Sequence, residues 1–165
     1  MRICNPLPPQ ATLHQLFVYS VIEGALYWCN NPASPAGAVN GRRGYARITI
    51  NYKTYSRHRL VWAYFHGDPG PQIVDHINRA RDDDRIENLR IATEAENRRS
   101  SSMYRTNTSG FKGVTFEKSV GRWKAYIYLN NKRKHLGIFS SKEEAAEAYA
   151  QAAAELHGEF AGAWK

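Results

Sequence analysis

Asp75 and His76 are neighbours, Asn88 follows a short way on, and Asn97 closes the set within 23 residues. A carboxylate, an imidazole and two carboxamides can hold a hard divalent cation and move a proton beside it. Hydrolysis of a phosphodiester asks for that combination. A water must lose a proton, the pentavalent phosphate must be neutralised, and the departing 3′ oxygen must be stabilised. A cation does the last two. Asp75 is a suitable oxygen ligand and the Asn97 carbonyl a second. Most of the coordination shell is then left to water and phosphate, as Mg²⁺ prefers. His76 is the best general base, because an imidazole titrates near neutrality. Neighbouring residues on a regular strand point to opposite faces, so His76 needs a bend or a strand end. The sequence predicts a pleat fault near Asp75, and a main-chain carbonyl of the facing strand as the acceptor that orients the other ring nitrogen. Asn88 is placed to tie the loop between two strands. The run Asp82–Asp84 reads as a solvated loop rather than a metal cluster.

The elements that must position these residues follow from periodicity and turn chemistry. Residues 1–12, with three prolines, read as a loose terminus. Leu13, Leu16, Phe17 and Val21 fit a short amphipathic helix or turn, and residues 26–29 a strand. Residues 30–43 read as a loop. Residues 44–50 and 54–56 form a hairpin about Asn51–Lys53. Residues 57–66 form a helix whose apolar face is Leu60, Val61, Tyr64 and Phe65. Arg57, His58 and Arg59 open it where the helix dipole gives cations nothing, which points to phosphate. Two short strands over 73–77 and 86–90 then flank a polar loop. Thr93 with Glu96 makes a capping box that starts a helix carrying Asn97. After a polar linker, three strands run over 113–116, 123–129 and 134–139. A helix opened by Ser141 and Glu144 presents Ala145, Tyr149, Ala152 and Leu156 on one face. The fold class is therefore α+β: a β-rich region over 1–54, a strand–loop–strand–helix module over 55–103, a linker at 104–110, and a three-stranded antiparallel sheet packed on one helix over 111–165.

The formal charge is +8, unevenly spread: +5 over 1–74, −1 over 75–104, +7 over 105–135 and −3 over 136–165. Positive flanks about a near-neutral centre point to nucleic acid as the partner. Two cysteines, Cys4 and Cys29, make neither a CxxC pair nor a disulfide framework, so a reducing interior is the default. No apolar run reaches the length of a membrane span.

Residues 55–100 resemble the HNH nuclease module of phage-type homing endonucleases. The resemblance is carried by Arg57-His58-Arg59-Leu60-Val61-Trp62, Val74-Asp75-His76-Ile77-Asn78, Arg85-Ile86-Glu87-Asn88-Leu89-Arg90, Ala92-Thr93 and Asn97. It implies a ββα-metal fold with His76 as general base, Asp75 and Asn97 as metal ligands, and Asn88 bracing the hairpin loop. Asn97 stands where many members have histidine, as in the HNN subgroup. That favours Mg²⁺ or Mn²⁺ over Zn²⁺ or Ni²⁺ at that position. Residues 109–161 resemble an AP2 DNA-binding domain through Gly113-Val114, Trp123-Lys124-Ala125-Tyr126-Ile127, Leu136-Gly137-Ile138-Phe139 and the alanine-rich helix. Family arginines are replaced by Thr115 and Tyr128, so plant-type base specificity does not carry over.

Together these imply a metal-dependent endonuclease of the phage free-standing or intron-type homing class, acting on double-stranded DNA in the cytoplasm of an infected bacterial host. No obligate protein partner is evident; a monomer would nick one strand and a homodimer could cut both. The DNA-contacting candidates are Arg57, His58, Arg59, Lys112, Arg122, Trp123, Lys124, Lys132, Arg133 and Lys134. The alternatives are a sequence-specific DNA-binding regulator with a non-catalytic HNH scaffold, and an RNA-binding protein that stacks bases on Tyr and Trp.

Overall fold

A computed structural model describes residues 6–39, 44–100, 106–129 and 132–161. The chain divides into two compact units, Met1–Thr93 and Glu94–Lys165. The sequence expectation set the nuclease module's end at residue 103; the division between units falls ahead of the helix that carries Asn97.

The first unit opens with α1 (Gln10–Leu16), which runs directly into β1 (Phe17–Ser20). Together with β2 (Ala25–Trp28) and β3 (Asn31–Pro35), β1 makes an antiparallel sheet in the order β1-β2-β3. A second sheet follows, β4 (Ala38–Val39), β5 (Ala46–Ile50) and β6 (Lys53–Ser56) in sequential order. The stretch expected to be a loop, 30–43, thus supplies two short edge strands. Its prolines are tolerated because an edge strand can lack ladder donors. The turn between β5 and β6 has Asn51 and Tyr52 both at positive φ, the geometry of a two-residue hairpin loop.

Next comes α2 (Arg57–His66), stopped by Gly67 at φ 83. Its buried face is Leu60, Val61 and Ala63, together with Arg57 and His58, whereas Phe65 is exposed. Arg59 holds the following turn: its guanidinium donates to the carbonyls of Gln72 (2.7 Å) and Gly70 (2.9 Å). A two-stranded sheet completes the unit, β7 (Ile73–His76) against β8 (Leu89–Ala92). Residues 86–88, expected as strand, form a 3₁₀ turn ahead of β8. The core joins these pieces through Leu13, Phe17, Leu26, Ile48, Leu60, Val61, Val74 and Leu89.

The second unit contains α3 (Glu94–Ser100), then β9 (Val114–Glu117), β10 (Arg122–Leu129) and β11 (Lys132–Phe139) in an antiparallel sheet with β10 central. Across the sheet lies α4 (Lys142–His157), whose Ser141 cap accepts from the Glu144 N–H at 3.1 Å. Ala125 and Ile127 of β10 pack on Ala145, Ala146, Tyr149, Ala152 and Ala153 of α4. These small side chains let helix and sheet approach closely. Gly113 shows how closely: at φ +70, an added Cβ would lie 2.3 Å from the Tyr149 ring and 2.5 Å from the Tyr126 carbonyl. The expected turn at Asn130–Asn131 lies outside the described residues.

Candidate active site

β7 and β8 pair without a register shift, Asp75 opposite Arg90 and His76 opposite Leu89. The predicted pleat fault is therefore absent. Burial alternates along β7, with Val74 and His76 buried and Asp75 partly exposed. Asp75 and His76 occupy opposite faces, and His76 is the last residue of its strand. A regular ladder is enough here, because the chain leaves the strand immediately after the imidazole.

His76 is 3% exposed, and its Nε2 lies 2.8 Å from Asp84 Oδ1. A side-chain carboxylate, rather than the expected main-chain carbonyl, thus faces the ring. Asp84 itself is fully buried, so its reading as part of a solvated loop is corrected. Its other oxygen accepts from Arg57 Nε at 2.7 Å, and Arg57 Nη2 donates to the Asp82 carbonyl at 3.2 Å. Burying a carboxylate is costly unless it is paired and hydrogen-bonded. Arg57 and His76 satisfy that condition from two different elements. His58, one residue along α2, places its ring 5.0 Å from that of His76, and Tyr45 packs on both imidazoles. Burial pushes His58 down to about 4, with Asp84 opposing the shift, so this ring is neutral near pH 7.

The loop between β7 and β8 is held by its own amides. Asn88 Oδ1 accepts from the Asn78 N–H at 3.0 Å. Its Nδ2 donates to Asn78 Oδ1 at 2.9 Å and to the Asp83 carbonyl at 2.7 Å. Asp83 is gripped by Arg85 through two contacts of 2.7 Å, which hold its carboxyl down to about 2. The N-terminal sheet supports this loop from outside: Tyr19 Oη accepts from the Ile86 N–H at 3.0 Å. Gly24 closes against Arg85 so tightly that an added Cβ would meet its backbone nitrogen at 2.6 Å.

Asp75 stands apart from the His76–Asp84 contact, with Arg90 Nη2 3.2 Å from its Oδ2. Asn97 is partly buried on α3 and belongs to the second unit. Each side chain carries an oxygen donor of the kind a hard divalent ion takes.

In the second unit Arg122, Lys132, Arg133 and Lys134 are exposed. The alternation that buries Ala125 and Ile127 under α4 sends Lys124, Tyr126 and Tyr128 to the opposite face of the sheet. Arg133 lies over the Tyr126 ring at 5.6 Å. Lys124 pairs with Glu117 at 2.7 Å, and Lys112 Nζ donates to the Arg99 carbonyl at 2.6 Å. Trp123 packs into the cluster with Val114, Ala125, Ala145 and Ala146, on the helix side. Ala95, Arg98, Arg99, Lys112, Tyr128, Tyr149 and His157, all of this unit, line a cavity of about 500 Å³.

Sequence reasoning missed Asp84 as a partner of His76. The local signal, one aspartate in a run of three, does not separate it from its neighbours. Only the fold brings Arg57, 27 positions earlier, onto it.

Comparison with known proteins adds an independent line. Residues 55–99 match the model of an HNH endonuclease family, and residues 109–159 match that of the AP2 domain. "Protein 3.8" of Escherichia phage T7 is 32% identical over 111 residues, spanning 67% of this chain and 91% of that protein. The "AP2-like ethylene-responsive transcription factor CRL5" of Oryza sativa subsp. japonica is 40% identical over 91 residues, 50% of this chain but 14% of that factor. Among solved structures, "DNA binding and cleavage by the HNH homing endonuclease I-HmuI" aligns over 91% of this chain and 90% of that one. Its TM-score is 0.44 and its identity 19%, a loose likeness.

Proposed function

We infer that this chain, which belongs to the HNH endonuclease family with a C-terminal AP2 domain and is a relative of phage T7 protein 3.8, hydrolyses phosphodiester bonds in double-stranded DNA with the help of a divalent metal ion. The observation that carries this reading is the locked imidazole of His76. It sits at the end of a hairpin strand, directly after Asp75, with Nε2 on a buried carboxylate. With Asp84 accepting the Nε2 proton, the lone pair of His76 lies on Nδ1, and that nitrogen takes a proton from the attacking water. Asn88 keeps the loop beneath it in place and has no part in the proton's path. Asp75 and Asn97 are the residues that would hold Mg²⁺ or Mn²⁺. When bound, the ion supplies the positive charge that the pentavalent phosphate and the departing 3′ oxygen require.

DNA is held chiefly by the second unit. Arg122, Lys132, Arg133 and Lys134 are free of α4 and present their charge to solvent. The setting is the cytoplasm of a phage-infected bacterium. The AP2 domain supports duplex DNA as partner, and the phage T7 relative supports the setting. Arg57, His58 and Arg59 are engaged inside the first unit and are left out of the contact set.

Supercoiled plasmid incubated with Mg²⁺ or Mn²⁺ tests the reading. The wild type is expected to convert it to nicked or linear DNA, His76→Ala to lose at least about a hundredfold in rate, and EDTA to stop the reaction. Equal behaviour of wild type and His76→Ala, with and without EDTA, would leave a DNA-binding regulator built on a nuclease scaffold.

A further inference from the structure

We propose that His58, His76 and Asp84 form a second metal site, separate from the oxygen donors Asp75 and Asn97, that takes a borderline transition-metal ion of the Zn²⁺ class. One ligand atom from each of the three residues lies within 4.8 Å of the other two. Two imidazoles and one carboxylate make a set that suits Zn²⁺ or Co²⁺ and is poorly suited to Mg²⁺. Three protein ligands leave a fourth position open.

A second observation points the same way. His58 Nδ1 is buried and has no hydrogen-bond partner, while His58 as a whole is 9% exposed. An orphaned buried polar atom is destabilising, and a coordinated ion removes that cost. Plain core packing gives this nitrogen no partner. The surroundings are those of a supported ligand set. Arg57 Nε holds Asp84 Oδ2, so Oδ1 is the oxygen turned towards His76. A ligating carboxylate is commonly fixed this way through its second oxygen. The Tyr45 ring, 5.2 Å from His58 and 5.9 Å from His76, walls the imidazoles on one side.

The three ligands come from the start of α2, the end of β7 and the loop that follows it. An ion there cross-links three segments that are otherwise joined by side-chain contacts, so its binding adds to folding stability. It also occupies the imidazole assigned above as the base, so Zn²⁺ is expected to suppress Mg²⁺-supported cleavage. That last consequence rests on the nuclease reading; the binding itself does not.

Co²⁺ titration of the full chain tests the proposal directly. One equivalent is expected to bind and to give the visible d–d absorption of a four- or five-coordinate ion. His58→Gln and Asp84→Asn are expected to abolish that band, Arg57→Lys to weaken binding roughly 10- to 100-fold, and Asp75→Asn to leave it. A band absent from the wild type, or kept in both His58→Gln and Asp84→Asn, overturns the site. So does a band that survives His58→Gln and vanishes with Asp75→Asn. If both variants fail to fold, the wild type decides by histidine ring NMR. Zn²⁺ should move His58 and His76 while His14, His66, His135 and His157 stay in place, and unmoved His58 and His76 resonances overturn the proposal. If Co²⁺ binds as described but plasmid stays intact, the metal site stands and the nuclease reading falls.

Discussion

Asp84 has no exposure and two partners, Arg57 and His76, both themselves buried. Replacing it with alanine leaves a buried guanidinium without its carboxylate, a change that typically costs about 3–5 kcal/mol. Chemical denaturation of Asp84→Ala should show a loss of that size, whereas Asp83→Ala, whose partner Arg85 reaches solvent, should lose about 1 kcal/mol or less. The contrast between two adjacent aspartates makes plain what a sequence can convey at this scale. The placement of Asp75 and His76 at the end of a strand, and the tie that Asn88 makes across the loop, were legible because each depends on close neighbours in the chain. Asp84 was not, because its role depends on Arg57 arriving from a helix far upstream. The basic start of that helix was legible as unusual, but the explanation differs. Arg57 and His58 sit there to meet Asp84 and His76 inside the protein, and Arg59 to hold the Gly70 and Gln72 carbonyls.

At the scale of elements, α4 and the sheet beneath it followed from alternation and from alanine spacing. Both signals are local, and the buried residues of α4 include the predicted Ala145, Tyr149 and Ala152. The short edge strands in 31–39 were not legible, since proline and small residues carry no period and pair only because a neighbouring strand is present. The C-terminal turn of α4 carries a pH dependence. His157 is buried, its Nε2–H donates to the Tyr128 carbonyl at 3.0 Å, and burial lowers its pKa. A histidine with a lower pKa folded than unfolded takes up its proton more readily when unfolded. Stability is then unaffected well above the unfolded value of about 6.5 and declines as pH falls through it. Thermal melts between pH 7.5 and pH 5, as about the range that brackets that value, should show the wild-type midpoint falling. His157→Gln, which keeps a donor for Tyr128 and cannot titrate, should fall less steeply.

At the scale of the whole molecule, the two-part organisation was readable from charge and motif, because a nuclease-like motif and an AP2-like motif each occupy their own stretch. The HNH match runs to residue 99 and so takes in α3, whereas by contacts α3 is grouped with the second unit. Binding of duplex DNA should be strongly salt-dependent. If about 6 phosphates are contacted, affinity falls roughly as the fifth power of salt concentration. Replacing Lys132, Arg133 and Lys134 together by alanine should lower that exponent by about 3 and weaken all sequences alike. Titration at several salt concentrations measures both. An unchanged exponent would move the docking surface away from β11.

The grip of Tyr19 and Gly24 on the loop that bears Asp83, Asp84 and Arg85 has a practical meaning for anyone seeking the smallest fragment that keeps the site. A trimmed version beginning at residue 55 would keep every motif residue and look complete on paper. It would also lack the hairpin whose Tyr19 and Gly24 hold Ile86 and Arg85, the residues that follow Asp84. Such a fragment is expected to cut plasmid far more slowly than the full chain, and supplying residues 1–54 as a separate piece should restore part of the rate. The folded unit that carries the motif therefore starts upstream of it.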